Sequence, residues 1–162
     1  MSMYFIGIDI SKYKHDCCII SAANQKVVSK VIIKNNKAGF NELLTIIHSL
    51  ANPADIRIGF ESTAHYALNL ELFLENSLLT FMEVNPVLIS EYKKSKTLRR
   101  TKTDSVDCES IARWLMTVEY KPHSKGFYHA YSLKSLTRLR DKLIRQRSFY
   151  LVKITNVLDH TF

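Results

Sequence analysis

Apolar and polar positions alternate from the start of the chain. Tyr4, Ile6, Ile8 and Ile10 fall on one side, and Met3, Phe5, Gly7 and Asp9 on the other, the two-residue period of a strand. Both sides are largely apolar, which predicts a central strand. A second strand, about His15 to Ser21, follows the turn Ser11-Lys12-Tyr13, and a third, Lys26 to Lys34, follows Ala23-Asn24-Gln25. Links this short favour an antiparallel meander. The period then changes: Phe40, Leu43, Leu44, Ile46, Ile47 and Leu50 recur at helical spacing, with Asn36 as an N-cap and Asn52-Pro53 as the stop. A fourth strand from Ile56 to Glu61, a helix from Ala64 to Asn76, a fifth strand from Thr80 to Val84 and a short helix opened by Pro86 complete the series. Crossover units of this kind make their strands parallel to their neighbours, so the expected fold is α/β, a mixed five-stranded sheet flanked by helices.

Past Thr103 the pattern predicts a helix from Asp104 to Val118, a loop containing Pro122 and Gly126, and a long C-terminal amphipathic helix from about Ser132 to the end. Leu136, Leu139, Leu143, Tyr150, Ile154 and Val157 form one stripe of it, with Ile144, Leu151 and Leu158 recurring every seven residues on the flank. Gln146 and Arg147 interrupt the stripe. Two readings stand: half of a coiled coil or an arm toward a further domain, or an ordinary amphipathic helix lying back on the sheet. The expected division is a sheet domain over residues 1–130 and a basic helix over residues 131–162, leading to a C-terminal domain beyond this sequence.

Composition supports one folded core. The 162 residues are 46% hydrophobic and 23% charged, with 4 Gly and 3 Pro, which excludes disordered and low-complexity classes. No apolar run reaches the roughly 18 residues of a membrane span, and Met1-Ser2-Met3-Tyr4 does not read as a signal peptide; the expectation is a cytoplasmic protein with no membrane partner. Cys17, Cys18 and Cys108 lack disulfide or zinc spacing and read as reduced packing residues.

Charge is segregated. The net charge is +8, yet residues 121–162 hold nine cations against two acids, and Lys93, Lys94, Lys96, Arg99, Arg100 and Lys102 put six cations into ten positions. The rest of residues 1–120 is net −5. Such segments suit polyanions, so these six residues, with Arg138 and Arg145 of the tail, are the candidate nucleic-acid contacts; a solvated, solubilising surface is the plainer alternative.

Four acids stand out by position. Asp9 ends a central strand just before a turn, Glu61 ends strand four, and each follows a glycine by two residues, Gly7-Ile8-Asp9 and Gly59-Phe60-Glu61. If these strands are adjacent and parallel, both carboxylates project at the sheet edge where open α/β sheets hold ligands. Asp104 and Asp107 share one face at a helix start, a pattern that capping alone would explain. Taken with Asp9 and Glu61, they form a set that would repel unless a cation joined it; hard oxygen donors suit Mg2+ or Mn2+, and two such ions can drive phosphodiester chemistry.

The segments Gly7-Ile8-Asp9-Ile10-Ser11-Lys12, Gly59-Phe60-Glu61-Ser62-Thr63 and Lys102-Thr103-Asp104-Ser105-Val106-Asp107-Cys108 resemble the Asp-Glu-Asp-Asp signature of insertion-sequence transposases with a RuvC-like amino-terminal domain, a group that includes the Piv-type DNA invertases. The resemblance implies an RNase H-like fold and divalent metal, as two ions, on Asp9, Glu61, Asp104 and Asp107 as catalytic residues. It also implies DNA strand cleavage and exchange in transposition, a DNA partner and a guide RNA encoded by the element. Family members continue into a second domain with a strand-joining serine, so this chain alone is expected to be inactive in full recombination, and a homo-oligomer through the C-terminal helix is expected. Ser62, Ser105 and Ser110 lack a His-Asp setting, His65 could touch phosphate or be structural, and Phe60, Tyr66 and Trp114 read as core. Gly7-Ile8-Asp9-Ile10-Ser11 also resembles the first phosphate motif of actin-like and sugar-kinase ATPases, but a second glycine-rich phosphate loop is lacking. The other contender is a non-catalytic nucleic-acid-binding and oligomerisation module, which would need no metal.

Overall fold

The computed structural model describes residues 3–61, 66–96, 104–123 and 127–161. They divide into two compact units, residues 1–123 and 124–162. The first is built on strands β1 (Tyr4–Ile10), β2 (Lys14–Ser21), β3 (Val27–Lys34), β4 (Ile56–Glu61) and β5 (Phe81–Val84), with helices α1 (Lys37–Leu50), α2 (Leu68–Asn76), α3 (Pro86–Lys96) and α4 (Asp104–Leu115). The sheet order is β3-β2-β1-β4-β5. β2 is antiparallel to both β1 and β3, while β1, β4 and β5 are parallel, the mixed sheet that the link lengths predict.

Local chemistry explains the element boundaries. The Asn36 side chain accepts a hydrogen bond from the Gly39 amide at 3.0 Å and starts α1. α4 stops at Leu115, three residues before the expected Val118, as the Met116 and Thr117 amides turn back to the carbonyls of Arg113 and Trp114. The helix expected from Ala64 begins at Leu68, with residues 62–65 outside the description.

The two faces of the sheet carry different layers. On one, Ile6, Ile8, Ile58, Phe60 and Phe81 are buried with Phe40, Leu43 and Ile47 of α1 and Leu70 and Leu74 of α2. Phe60 stacks on Phe81 with centroids 5.3 Å apart, and Phe40 stacks on buried His15 at 6.0 Å. Burial holds the His15 pKa below its ordinary value, and its Nδ1 accepts from the Ser11 amide at 3.3 Å, so it is a neutral core histidine. The opposite face carries α4: Cys108 and Ala112 pack on Cys18 and Ile20, and Ile111, Trp114 and Leu115 on Phe5, Val84 and Ile89. All three cysteines are buried free thiols, as expected.

The second unit is α5 (Phe127–Asp159), which starts before the expected Ser132 because neither Gly nor Pro interrupts residues 127–159. Its stripe residues Leu136, Leu139, Leu143, Tyr150, Ile154 and Val157 are exposed. Among the described residues, no helix is long and apolar enough to cross a membrane.

Candidate active site

The echo of Gly7 and Gly59 has a steric cause. The two are direct partners in the parallel β1–β4 ladder, and both face α4. A Cβ on Gly7 would lie 2.2 Å from the Cys108 carbonyl oxygen and 2.4 Å from the Ala112 amide nitrogen, and one on Gly59 would meet the Leu115 methyls at 2.7 Å and 2.8 Å. The missing side chains form a seat in which the α4 backbone lies directly on the sheet. Side chains of a strand alternate between faces, so Asp9 and Glu61, two residues on from the glycines, point to the side that α4 covers.

The ladder pairs Ile8 with Phe60, and one further step sets Asp9 beside Glu61 at the carboxyl ends of their strands. α4 adds Asp107, immediately before the Cys108 that rests on Gly7. The Lys93 ammonium, from the last turn of α3, spans the gap, 2.8 Å from Asp107 Oδ1 and 3.9 Å from Glu61 Oε1. Burial raises the Glu61 pKa above its ordinary value; the Lys93 charge opposes that shift and the Asp107 charge adds to it. Asp104 opens α4 one turn before Asp107, and its side chain lies outside the described residues. Among the described residues, no group of three or more His, Cys, Asp or Glu side chains is set to hold a metal. The described part of the site is thus Glu61 and Asp107 around one ammonium, with Asp9 alongside. A donor set of carboxylate oxygens already gathered round a positive charge fits a hard divalent cation.

Asp16 was not expected in this neighbourhood. It is the direct cross-strand partner of Asp9, so Asp16, Asp9 and Glu61 form a row across β2, β1 and β4 on the α4 face. It is buried and pairs with Lys14 at 3.4 Å. A hairpin turn centred on Lys12-Tyr13 would have revealed it, since residues 9 and 16 are then opposite. Lys14 in turn faces Lys34 on β3; these cations lay hidden in the net acidic count for the remainder of residues 1–120. Behind the site, Glu109 binds Lys30 of β3 and Arg113, each at 2.8 Å, and clamps α4 to the sheet edge.

The basic residues divide. Lys93 turns into the acidic site, whereas Lys94 is exposed on α3 and Arg138 and Arg145 are exposed on α5, with Arg145 3.1 Å from Asp141. Arg99, Arg100 and Lys102, with the Lys96 side chain, lie outside the described residues, as do His65, Ser62 and the Ser105 side chain. Ser110 donates to the Val106 carbonyl at 2.7 Å, a use within its own helix.

The sequence profile of the IS110-type DEDD transposases, described as Transposase, matches residues 6–162. The chain belongs to that family. Two curated relatives, the pilin gene-inverting proteins of Moraxella bovis and Moraxella lacunata, are each 33% identical over 115 residues, or 70% of this chain. The chain spans about a third (34%) of the length of these relatives. Among solved structures, T. thermophilus RuvC in complex with a Holliday junction substrate superposes with a TM-score of 0.52 at 11% identity, covering 75% of this chain and 99% of RuvC. A second structure of Thermus thermophilus RuvC gives the same score and identity, with 75% of this chain and 100% of that one covered. The fold of this DEDD transposase chain is therefore RuvC-like, a member of the RNase H-like class, as its signature implied.

Proposed function

We propose that this chain is the DNA-cleaving part of a transposase or site-specific recombinase, acting through divalent metal in the movement of an insertion sequence. The observation that carries the reading is the meeting of Glu61 and Asp107 across a single positive charge at the carboxyl edge of the sheet. With Asp9 beside Glu61 and Asp104 one turn before Asp107, four carboxylates from two strands and one helix would hold Mg2+ or Mn2+, as two ions. Metal bound there would supply a nucleophile at neutral pH and charge stabilisation for the leaving oxygen of a phosphodiester.

The protein's own contribution is rigidity and charge. Asp9 is paired with Asp16 of β2 and Glu61 with Val84 of β5 in the sheet, and Asp107 is held by the seating of α4 on Gly7. Lys94, Lys96, Arg99, Arg100 and Lys102 stand between Glu61 and the acidic helix in the chain and would contact phosphates, as would Arg138 and Arg145 on α5. On the strength of the sequence resemblance, an RNA encoded by the element would guide target choice.

Salt and metal test the reading together. The chain should bind duplex DNA with an affinity that falls with salt, each neutralised phosphate adding about 0.9 to the log–log slope, so Arg99→Glu with Arg100→Glu should lower the slope by about 2. Nicking should require Mn2+ or Mg2+ and stop in excess chelator, and strand transfer by this chain alone should stay silent. Salt-independent binding or cutting in chelator would refute the proposal.

We further propose that α5 pairs with a second copy. Its stripe is exposed and periodic, and leaving several large apolar side chains in water is unfavourable. Sedimentation should show a dimer that Leu143→Asp with Ile154→Asp dissociates; a monomer at micromolar concentration would count against it.

A further inference from the structure

Lys93, expected as a nucleic-acid contact, has acidic partners within the protein. Its neighbour Lys94 is exposed, whereas Lys93 is half-buried and directs its ammonium between two acids that come from different elements, β4 and α4. The chain position suits a cation on its own account, since the last turn of a helix carries partial negative charge. The two carboxylates are held close by rigid supports: Glu61 by the β-ladder, Asp107 by a helix whose backbone rests on Gly7. Neither support can readily retreat to relieve their repulsion, so a positive charge between the two acids is favourable whether or not metal is bound.

We propose that Lys93 is the built-in counter-ion of the acidic site, holding Glu61 and Asp107 together before a divalent cation binds and yielding its place when one does. The inference rests on the metal-binding reading above. An ammonium is a compact point charge with three donors on a flexible four-carbon stem, able both to stand in for a cation and to swing away from α3. Carboxylate oxygens contact a divalent ion at roughly 2.0–2.6 Å, so Lys93 and the ion would compete for the same charge rather than add to one another. Once released, the Lys93 charge lies at the rim of the site, where the phosphate of an incoming strand would be its next partner.

The test is a titration of the full 162-residue chain with Mn2+, followed by calorimetry and by the loss of the free-ion paramagnetic resonance signal. Lys93→Met, which keeps the apolar stem and removes the charge, should bind Mn2+ about tenfold more tightly than wild type, because a competing cation has gone from a partly buried site. Lys93→Arg, which restores the charge, should return the affinity to within about twofold of wild type. Nitrogen-15 spectra of the lysine ammonium groups provide a reading without substitution: the Lys93 signal should shift on addition of diamagnetic Mg2+. Equal or weaker Mn2+ binding by Lys93→Met, or an ammonium signal unmoved at saturating Mg2+, would overturn the counter-ion role and leave the metal site standing. No Mn2+ binding by wild type or Lys93→Met would overturn both.

Discussion

Asp9→Asn, Glu61→Gln and Asp107→Asn should each cut metal-dependent DNA cleavage by at least about a hundredfold while the domain stays folded. Metal-assisted charge stabilisation is worth several kcal/mol, and about 1.4 kcal/mol is already tenfold in rate. The stability side of the expectation differs between Glu61→Gln and Asp107→Asn. Burial already raises the Glu61 pKa and the Asp107 charge adds to it, so a neutral amide at this position relieves a penalty and should leave the melting temperature unchanged or raised. Asp107→Asn gives up the 2.8 Å pair with Lys93, a half-exposed contact worth on the order of 0.5 kcal/mol. Thermal melts of each variant alongside cleavage rates in Mn2+ check both parts. Cleavage within a few-fold of wild type in a folded variant would remove that residue from the chemistry.

Gly7→Ala should be the most damaging single-methyl change in the sheet domain. The new Cβ would sit 2.2 Å from one backbone atom of α4 and 2.4 Å from another, and a helix backbone cannot step aside as a side chain can. Overpacking commonly costs about 1–3 kcal/mol, and with backbone on both sides a loss of about 3 kcal/mol or more is expected, a large share of the stability of an ordinary domain. Gly59→Ala is the internal control. The three atoms nearest its Cβ would all belong to the Leu115 side chain, which can shift where a helix backbone cannot, so about 1 kcal/mol is expected. Urea unfolding of both variants tests the ranking, and equal losses would refute it. Because α4 carries Asp107, any Gly7→Ala protein that remains folded should also bind metal more weakly.

Much of this architecture is legible along the chain because its causes are local. The switch from a two-residue to a helical period, the Asn36 cap and the short meander links act within a few residues of the elements they set. The two Gly-x-acid strand ends were recognisable as equivalents, and their adjacency follows from the parallel crossover between them. The meaning of the glycines was not legible. They looked like features of two strands, whereas their role is to admit a helix that follows about a hundred residues after Gly7. Asp16 escaped notice because a hairpin register is a statement about pairs, not about either strand alone. The inward turn of Lys93 is not legible either, because a run of like residues conceals which one meets the acids.

Which elements form, in what order, and which acids stand at strand and helix ends can be read along the chain, since backbone preference and apolar periodicity operate over single turns and short strands. Which charges meet depends on how those elements pack. Glu61 and Asp107 are far apart in the chain, and Lys93 comes from a third element, yet all three converge within 4 Å contacts. Coulomb energy depends on separation and burial, and both are set here by strand register and by the close approach of α4 to Gly7, quantities that no single stretch of sequence contains.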